Sequence, residues 1–154
     1  MALEDDIALL SQVSLFQGMD RDVLRLIAFA AEARQLRAGD TLFRKGDLSD
    51  GGFVVARGSI VLMDGDASQI EAVAGPGTLL GELALIAETR RPATAGAREH
   101  CGLLRLSRAM FRRTLEEYPR FAQRLHADLL SRVRGLSGEL AQVKDALKRL
   151  DPTK

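Results

Sequence analysis

Residues 36–77 read LRAGDTLFRKGDLSDGGFVVARGSIVLMDGDASQIEAVAGPG, and the predicted fold class follows from their pattern. Short apolar runs alternate with glycine-centred turns: Arg37-Ala38-Gly39-Asp40, Lys45-Gly46-Asp47, Arg57-Gly58-Ser59, Asp64-Gly65-Asp66 and Gly75-Pro76-Gly77. Glycine reaches positive φ without steric cost, so each cluster punctuates the chain. The runs between them, 41–44, 52–57, 59–63 and 70–73, are apolar and in part β-branched. Turn signals at this even spacing predict an antiparallel sandwich or barrel. A last strand is predicted at 102–106.

On either side of this region the apolar period changes from strand-like to helical. Ile7, Leu10, Val13 and Leu15 recur at helical spacing until Gly18 breaks the run. Asp20 is placed to cap a second helix carrying Val23, Leu24, Ile27, Phe29 and Ala30. Downstream, Ser107 is placed to cap a helix through Phe111, Leu115 and Tyr118, and Pro119 suits the first turn of the next. That helix is predicted to run to Leu150. Its apolar positions Val133, Leu136, Leu140, Val143, Leu147 and Leu150 form a heptad seam. Gly135 and Gly138 weaken it, each by roughly 0.8–1 kcal/mol relative to alanine. The seam suits either a homodimer through 133–150 or a helix folded back on its own barrel; the dimer is the reading taken. The fold class is therefore α+β, mainly β: one domain over 1–154, with N-terminal helices at 1–33, an antiparallel β-barrel or jelly roll at 34–107, and C-terminal helices at 108–150.

Composition bounds the function. Hydrophobic residues make up 46%, enough for a core, and 22 basic residues against 21 acidic leave a net charge of +1. Such a balance carries no broad electrostatic footprint for nucleic acid or anionic membrane, so an anion site must be local. Cys101 is the one cysteine and His100 and His126 the two histidines, which argues against an intrachain disulfide, a thiolate cluster or a cupin-type metal enzyme. No metal is expected. The acidic start MALEDDIALL is unlike a signal peptide, and Glu82 interrupts the longest apolar run. These features point to a reduced, cytoplasmic protein with no membrane partner.

Residues 81–95, GELALIAETRRPATA, carry the chemistry. A glycine precedes helix formers, so free N–H groups and the helix dipole at that start favour an anion. Glu82 sits at the same start, and Arg90 and Arg91 follow. A guanidinium holds a phosphate through parallel hydrogen bonds, whereas a carboxylate repels phosphate but accepts from sugar hydroxyls. Having both within one short segment suits a sugar phosphate. Alone, Glu82 reads as a helix cap and Arg91 as a surface charge; their conjunction argues otherwise. Arg90 reads as a surface charge, and Cys101 as a small buried apolar residue.

Gly81-Glu82-Leu83-Ala84-Leu85 followed by Arg91-Pro92-Ala93-Thr94 resembles the phosphate-binding cassette of cyclic-nucleotide-binding domains. The spacing from Glu82 to Arg91 is that of protein-kinase regulatory subunits and cyclic-nucleotide-gated channels, one residue shorter than in the catabolite-activator branch. Phe43-Arg44-Lys45-Gly46-Asp47, Phe53-Val54-Val55 and Gly58 are similar to the family's earlier strands, and Leu15-Phe16 to its N-terminal helical segment. The resemblance spans residues 9–132. It implies that Glu82 accepts the ribose 2′-hydroxyl, that Arg91 pairs with the cyclic phosphate, and that backbone at Gly81, Leu83 and Ala84 lines the cradle. It also implies that Leu83 and Leu85 link the cassette to mobile helices. Pro92, Ala93 and Thr94 complete the cassette. Pro92 departs from the family, which has a small residue with an N–H there. The lost donor weakens phosphate binding by roughly 1.5–3 kcal/mol, offset in part if Pro92 holds Arg91 extended. Cyclic-GMP-selective relatives carry threonine at that position, so Pro92 favours cyclic AMP. Arg132 matches the lid arginine of channel-type relatives, and Ser137 a purine contact of the catabolite-activator branch; Arg132 ranks first. The implied function is a non-enzymatic sensor signalling through its C-terminal helices to an unknown effector protein. A transcription regulator would need a helix-turn-helix after the long helix, and this chain ends at Lys154. A fragment of such a regulator, and a ligand-free interaction module on the same fold, are the alternatives.

Overall fold

A computed structural model describes residues 3–64 and 69–133, with residues 129–133 described as backbone only. Helix α1 (Leu3–Ser11), a 3-10 turn (Ser14–Phe16) and helix α2 (Arg21–Ala30) lead into the strands. The strands are β1 (Glu32–Leu36), β2 (Thr41–Phe43), β3 (Gly51–Arg57), β4 (Ile60–Met63), β5 (Ile70–Ala74), β6 (Leu79–Leu80), β7 (Thr94–Ala97) and β8 (Cys101–Ser107). Helices α3 (Arg108–Glu117) and α4 (Pro119–Val133) follow. The strands form two four-stranded antiparallel sheets, ordered β1-β8-β3-β6 and β2-β7-β4-β5. This is the jelly roll that the turn spacing predicts.

Two cores explain why β3 reads as an unbroken apolar run rather than an alternating one. Phe53 and Val55 face inward with Ile60, Ala95, Cys101 and Leu103, between the sheets. Val54, with Leu104 and Leu106 of β8, faces the helices instead. A strand buried on both faces loses its polar alternation. The helical core is closed by the ring cluster Phe16, Phe111 and Phe121, whose centroids lie 5.7–6.4 Å apart. Phe16 precedes the barrel while Phe111 and Phe121 follow it, so the rings tie both helical ends together. The two edge-to-face pairs, Phe16–Phe121 and Phe111–Phe121, each add about 0.5–1.5 kcal/mol beyond their buried area.

Several local expectations are corrected. Strand β1 has the polar sequence EARQL and is mostly exposed, so no apolar pattern marks it; it exists because β8 offers it an edge. Strand β7, TAGA, is fully buried between β2 and β4, and apart from Thr94 its residues carry little strand propensity. The short helix expected from Gly81 is only a three-residue 3-10 turn, Leu83–Leu85. Asp20 occupies the N-cap of α2 with extended backbone but makes no side-chain capping bond. Phe29 of α2 is 80% exposed and lies off the buried face formed by Val23, Leu24, Ile27 and Ala28. Ser107 does cap α3: its Oγ accepts from the Met110 amide at 3.1 Å. The seam residues Leu136 to Leu150 lie outside the described residues.

Candidate functional site

The segment from Gly81 to Thr94 is held from below and from behind. Below, Leu85, Ile86 and Ala87 are buried in the helical core, against which Leu83 also packs. Behind, the loop between β2 and β3 is stitched to the segment's end. The Arg91 amide donates to Asp47 O at 2.8 Å, the Gly46 amide to Arg91 O at 2.8 Å, and the Ser49 amide to Thr89 O at 2.9 Å. Buried Ser49 and Thr89 also join through their hydroxyls at 3.3 Å. Arg90 is exposed and donates to Gly46 O.

Arg91 is 6% exposed. Its Nη2 donates to Gly51 O at 2.8 Å, and its guanidinium lies 4.3 Å from the ring centroid of Phe43 and 5.8 Å from that of Phe53. Burial lowers its pKa from the ordinary value; Asp50 opposes this and nearby Arg108 adds to it. An arginine remains charged regardless, so a desolvated cation faces the hollow above it. Gly81 shows why this position takes no side chain. Its φ is +93°, and a Cβ there would stand 2.7 Å from Arg91 Nη1.

One cavity of about 320 Å³ unites these groups. Gly81, Glu82, Leu83, Ala84, Arg91, Pro92 and Ala93 line it, with Phe43 and Leu62 from the barrel wall. Glu82 has helical backbone at the cap of the 3-10 turn, and its side chain makes no capping bond. With only one short turn present, the dipole contributes little, because the effect needs several aligned peptides. The lining of this hollow carries two cations, Arg90 and Arg91. Thr94 is absent from the lining; its Oγ1 accepts from the Lys45 amide at 3.0 Å, bracing β7 against the β2 end. The Arg132 backbone belongs to α4, its side chain lies outside the description, and Ser137 lies outside the described residues. Among the described residues no acidic, Cys and His cluster suits a metal ion, and no helix is long and apolar enough to cross a membrane.

The profile of the cyclic nucleotide-binding domain covers residues 33–118. The chain belongs to the cyclic nucleotide-binding domain family. A cyclic nucleotide-binding-like protein from Brucella abortus has a solved structure that is 44% identical, covers 73% of this chain and 98% of its own, and superposes with a TM-score of 0.67. The cyclic AMP receptor protein of Thermus thermophilus is 33% identical over 129 residues, which is 82% of this chain and 60% of that protein. Lysophospholipase NTE1 of Chaetomium globosum is 30% identical over 113 residues, 71% of this chain but 7% of the enzyme. The chain thus spans under two thirds of the length of either curated relative.

Two residues escaped the sequence reading: Arg108 and Ser49. Arg108 Nε donates to Ala84 O at 2.8 Å, and its Nη2 to Ser49 O at 2.7 Å. One signal was available, since a cation in the first turn of a helix opposes the dipole and needs another reason to be there.

Proposed function

We propose that this domain is a cyclic AMP sensor that signals by repositioning its C-terminal helices. The observation that carries the reading is the shared cavity: Glu82 and Arg91 line the same 320 Å³ hollow. In it, Arg91 pairs with the cyclic phosphate, Glu82 accepts the ribose 2′-hydroxyl, and the backbone at Gly81, Leu83 and Ala84 forms the cradle. Pro92 and Ala93 close its rim, and Thr94 braces it. Arg132 stacks on the purine as the lid, with Ser137 as the second choice for that contact. Cyclic AMP is preferred to cyclic GMP because Pro92 has no hydroxyl for guanine. Leu85 is 1% exposed within the helical core, which supports a mechanical link from cassette to helices. A ligand shifts the helices only by its differential affinity for the two arrangements.

The output runs to a partner protein, or through assembly of two copies along 133–150, in a cytoplasmic setting. The domain binds rather than catalyses. A second reading, a ligand-free interaction module, draws on Pro92, which lines the cavity yet has no N–H to give a phosphate. Isothermal titration decides between them. Cyclic AMP should bind, and Arg91→Ala and Glu82→Ala should each weaken it by a factor of ten or more, about 1.4 kcal/mol. No heat and no thermal shift with millimolar cyclic AMP or cyclic GMP overturns the sensor reading.

A further inference from the structure

We propose that Arg90 is a second phosphate ligand of the hollow, standing in for a backbone donor that Pro92 cannot supply. The proposal rests on the phosphate role of Arg91 just given. Among the described residues, the charged side chains that line the hollow are Glu82, Arg90 and Arg91. Glu82 and Arg91 by themselves cancel, which would leave the hollow no net charge to draw an anion. With Arg90 the lining carries a positive charge in excess, two guanidiniums against one carboxylate. A cyclic phosphodiester bears a single negative charge, and the excess matches it.

Arg91 has less to offer a phosphate than a free guanidinium would. It is buried, and one of its donors is engaged by Gly51 O at 2.8 Å. The residue after it, Pro92, lines the hollow yet presents a ring where any other residue would present an N–H. A phosphodiester exposes a pair of exocyclic oxygens, each able to accept several bonds, so this edge of the hollow is short of donors. Arg90 and Pro92 are both exposed, on either side of buried Arg91. They stand together at the mouth of the hollow, and the guanidinium of one can reach the place that the ring of the other leaves without a donor.

Arg90 is anchored at that mouth. Its backbone bridges to Leu48, and its Nη1 donates to Gly46 O at 2.9 Å. The Gly46 amide donates in turn to Arg91 O at 2.8 Å, so one turn of the loop between β2 and β3 seats both arginines. A guanidinium carries several N–H donors in a fixed fork, and a bond to Gly46 O does not exhaust them. The two cations then differ in kind. Arg91 is desolvated and its contact with a phosphate is shielded from salt, whereas the contact made by exposed Arg90 is open to screening.

Titration of the intact chain with cyclic AMP tests this in wild type, Arg90→Gln, Pro92→Ala and the double variant. Glutamine keeps an N–H for Gly46 O but carries no charge. Arg90→Gln should weaken binding by about tenfold and Arg90→Lys by less, while Pro92→Ala should strengthen it. In the Pro92→Ala background the loss from Arg90→Gln should shrink to about threefold or less, because the restored N–H takes over part of the contact. Raising salt from about 0.05 M to about 0.5 M should lower the affinity of wild type more than that of Arg90→Gln, since the exposed cation is the one that ions screen. A wild type that binds cyclic AMP while Arg90→Gln binds it within about twofold overturns the role of Arg90 and leaves the sensor reading standing. An equal loss in both backgrounds with unchanged salt dependence also overturns it, because a residue that only steadies the Gly46 turn behaves that way. A wild type that binds neither cyclic AMP nor cyclic GMP overturns the sensor reading and the role of Arg90 with it.

Discussion

Replacing Gly81 by alanine separates two effects that are usually confounded, backbone strain and crowding of a functional side chain. Gly81 and Gly39 share the same φ, +93°. A non-glycine residue in this left-handed region costs about 1–2 kcal/mol at either position. Around Gly39 a new methyl would meet nothing within 4 Å, whereas at Gly81 it would lie 2.7 Å from Arg91 Nη1 and 3.3 Å from Gly51 O. Arg91 cannot simply swing aside without giving up its 2.8 Å bond to Gly51 and its place over Phe43. A hydrogen bond from a charged donor is worth about 1.5–3 kcal/mol, so Gly81→Ala should lose about that much more than Gly39→Ala. Chemical denaturation of both variants measures the difference. For cyclic AMP, Gly39→Ala should bind like wild type, while Gly81→Ala should bind about tenfold to a hundredfold more weakly because its guanidinium is displaced. Equal stability losses together with equal affinities in the two variants would refute the crowding argument.

The other expectations concern the shell around the site. Phe43→Leu removes the ring beneath Arg91; with about 0.5–2 kcal/mol in such a contact, titration should show cyclic AMP affinity falling by roughly twofold to thirtyfold, and Phe43→Tyr should restore it. Ser107→Ala deletes the α3 cap and should cost about 0.5–2 kcal/mol in denaturant unfolding. The Asp6 carboxyl is pushed above its ordinary range, chiefly by burial, with Asp5 adding to the shift. Its folded form holds a proton more tightly than the unfolded chain does, so its ionisation destabilises the fold as pH rises through that window. Asp6→Asn should therefore raise the melting temperature at neutral pH, and the gain should vanish once the solution is acidic enough to protonate wild type in both states. A gain that persists in acid would contradict this.

The features that can be read along the chain are local ones. Glycine-centred turns marked most strand boundaries, because a turn that needs positive φ or a tight reversal leaves its mark in a few adjacent residues. The cassette was legible for the same reason: Gly81, Glu82 and Arg91 lie within eleven residues, close enough for their pattern to carry meaning without knowledge of the rest. Strands β1 and β7 were not legible, since one is a polar edge that pairs because β8 is there, and the other is a run of mostly small residues that is a strand because β2 and β4 pair with it on either side. The Gly81 segment is a single 3-10 turn rather than a helix, and Leu85, Ile86 and Ala87 at its end are buried in the helical core, a tertiary contact that local helix propensity does not report. Above all, the approach of residues 49–51 to Arg91 on one side and Arg108 on the other joins groups forty and nearly sixty positions apart. No pattern along the chain records such a meeting; it exists only once the sheets have set those backbone carbonyls within reach of buried Arg91 and half-buried Arg108.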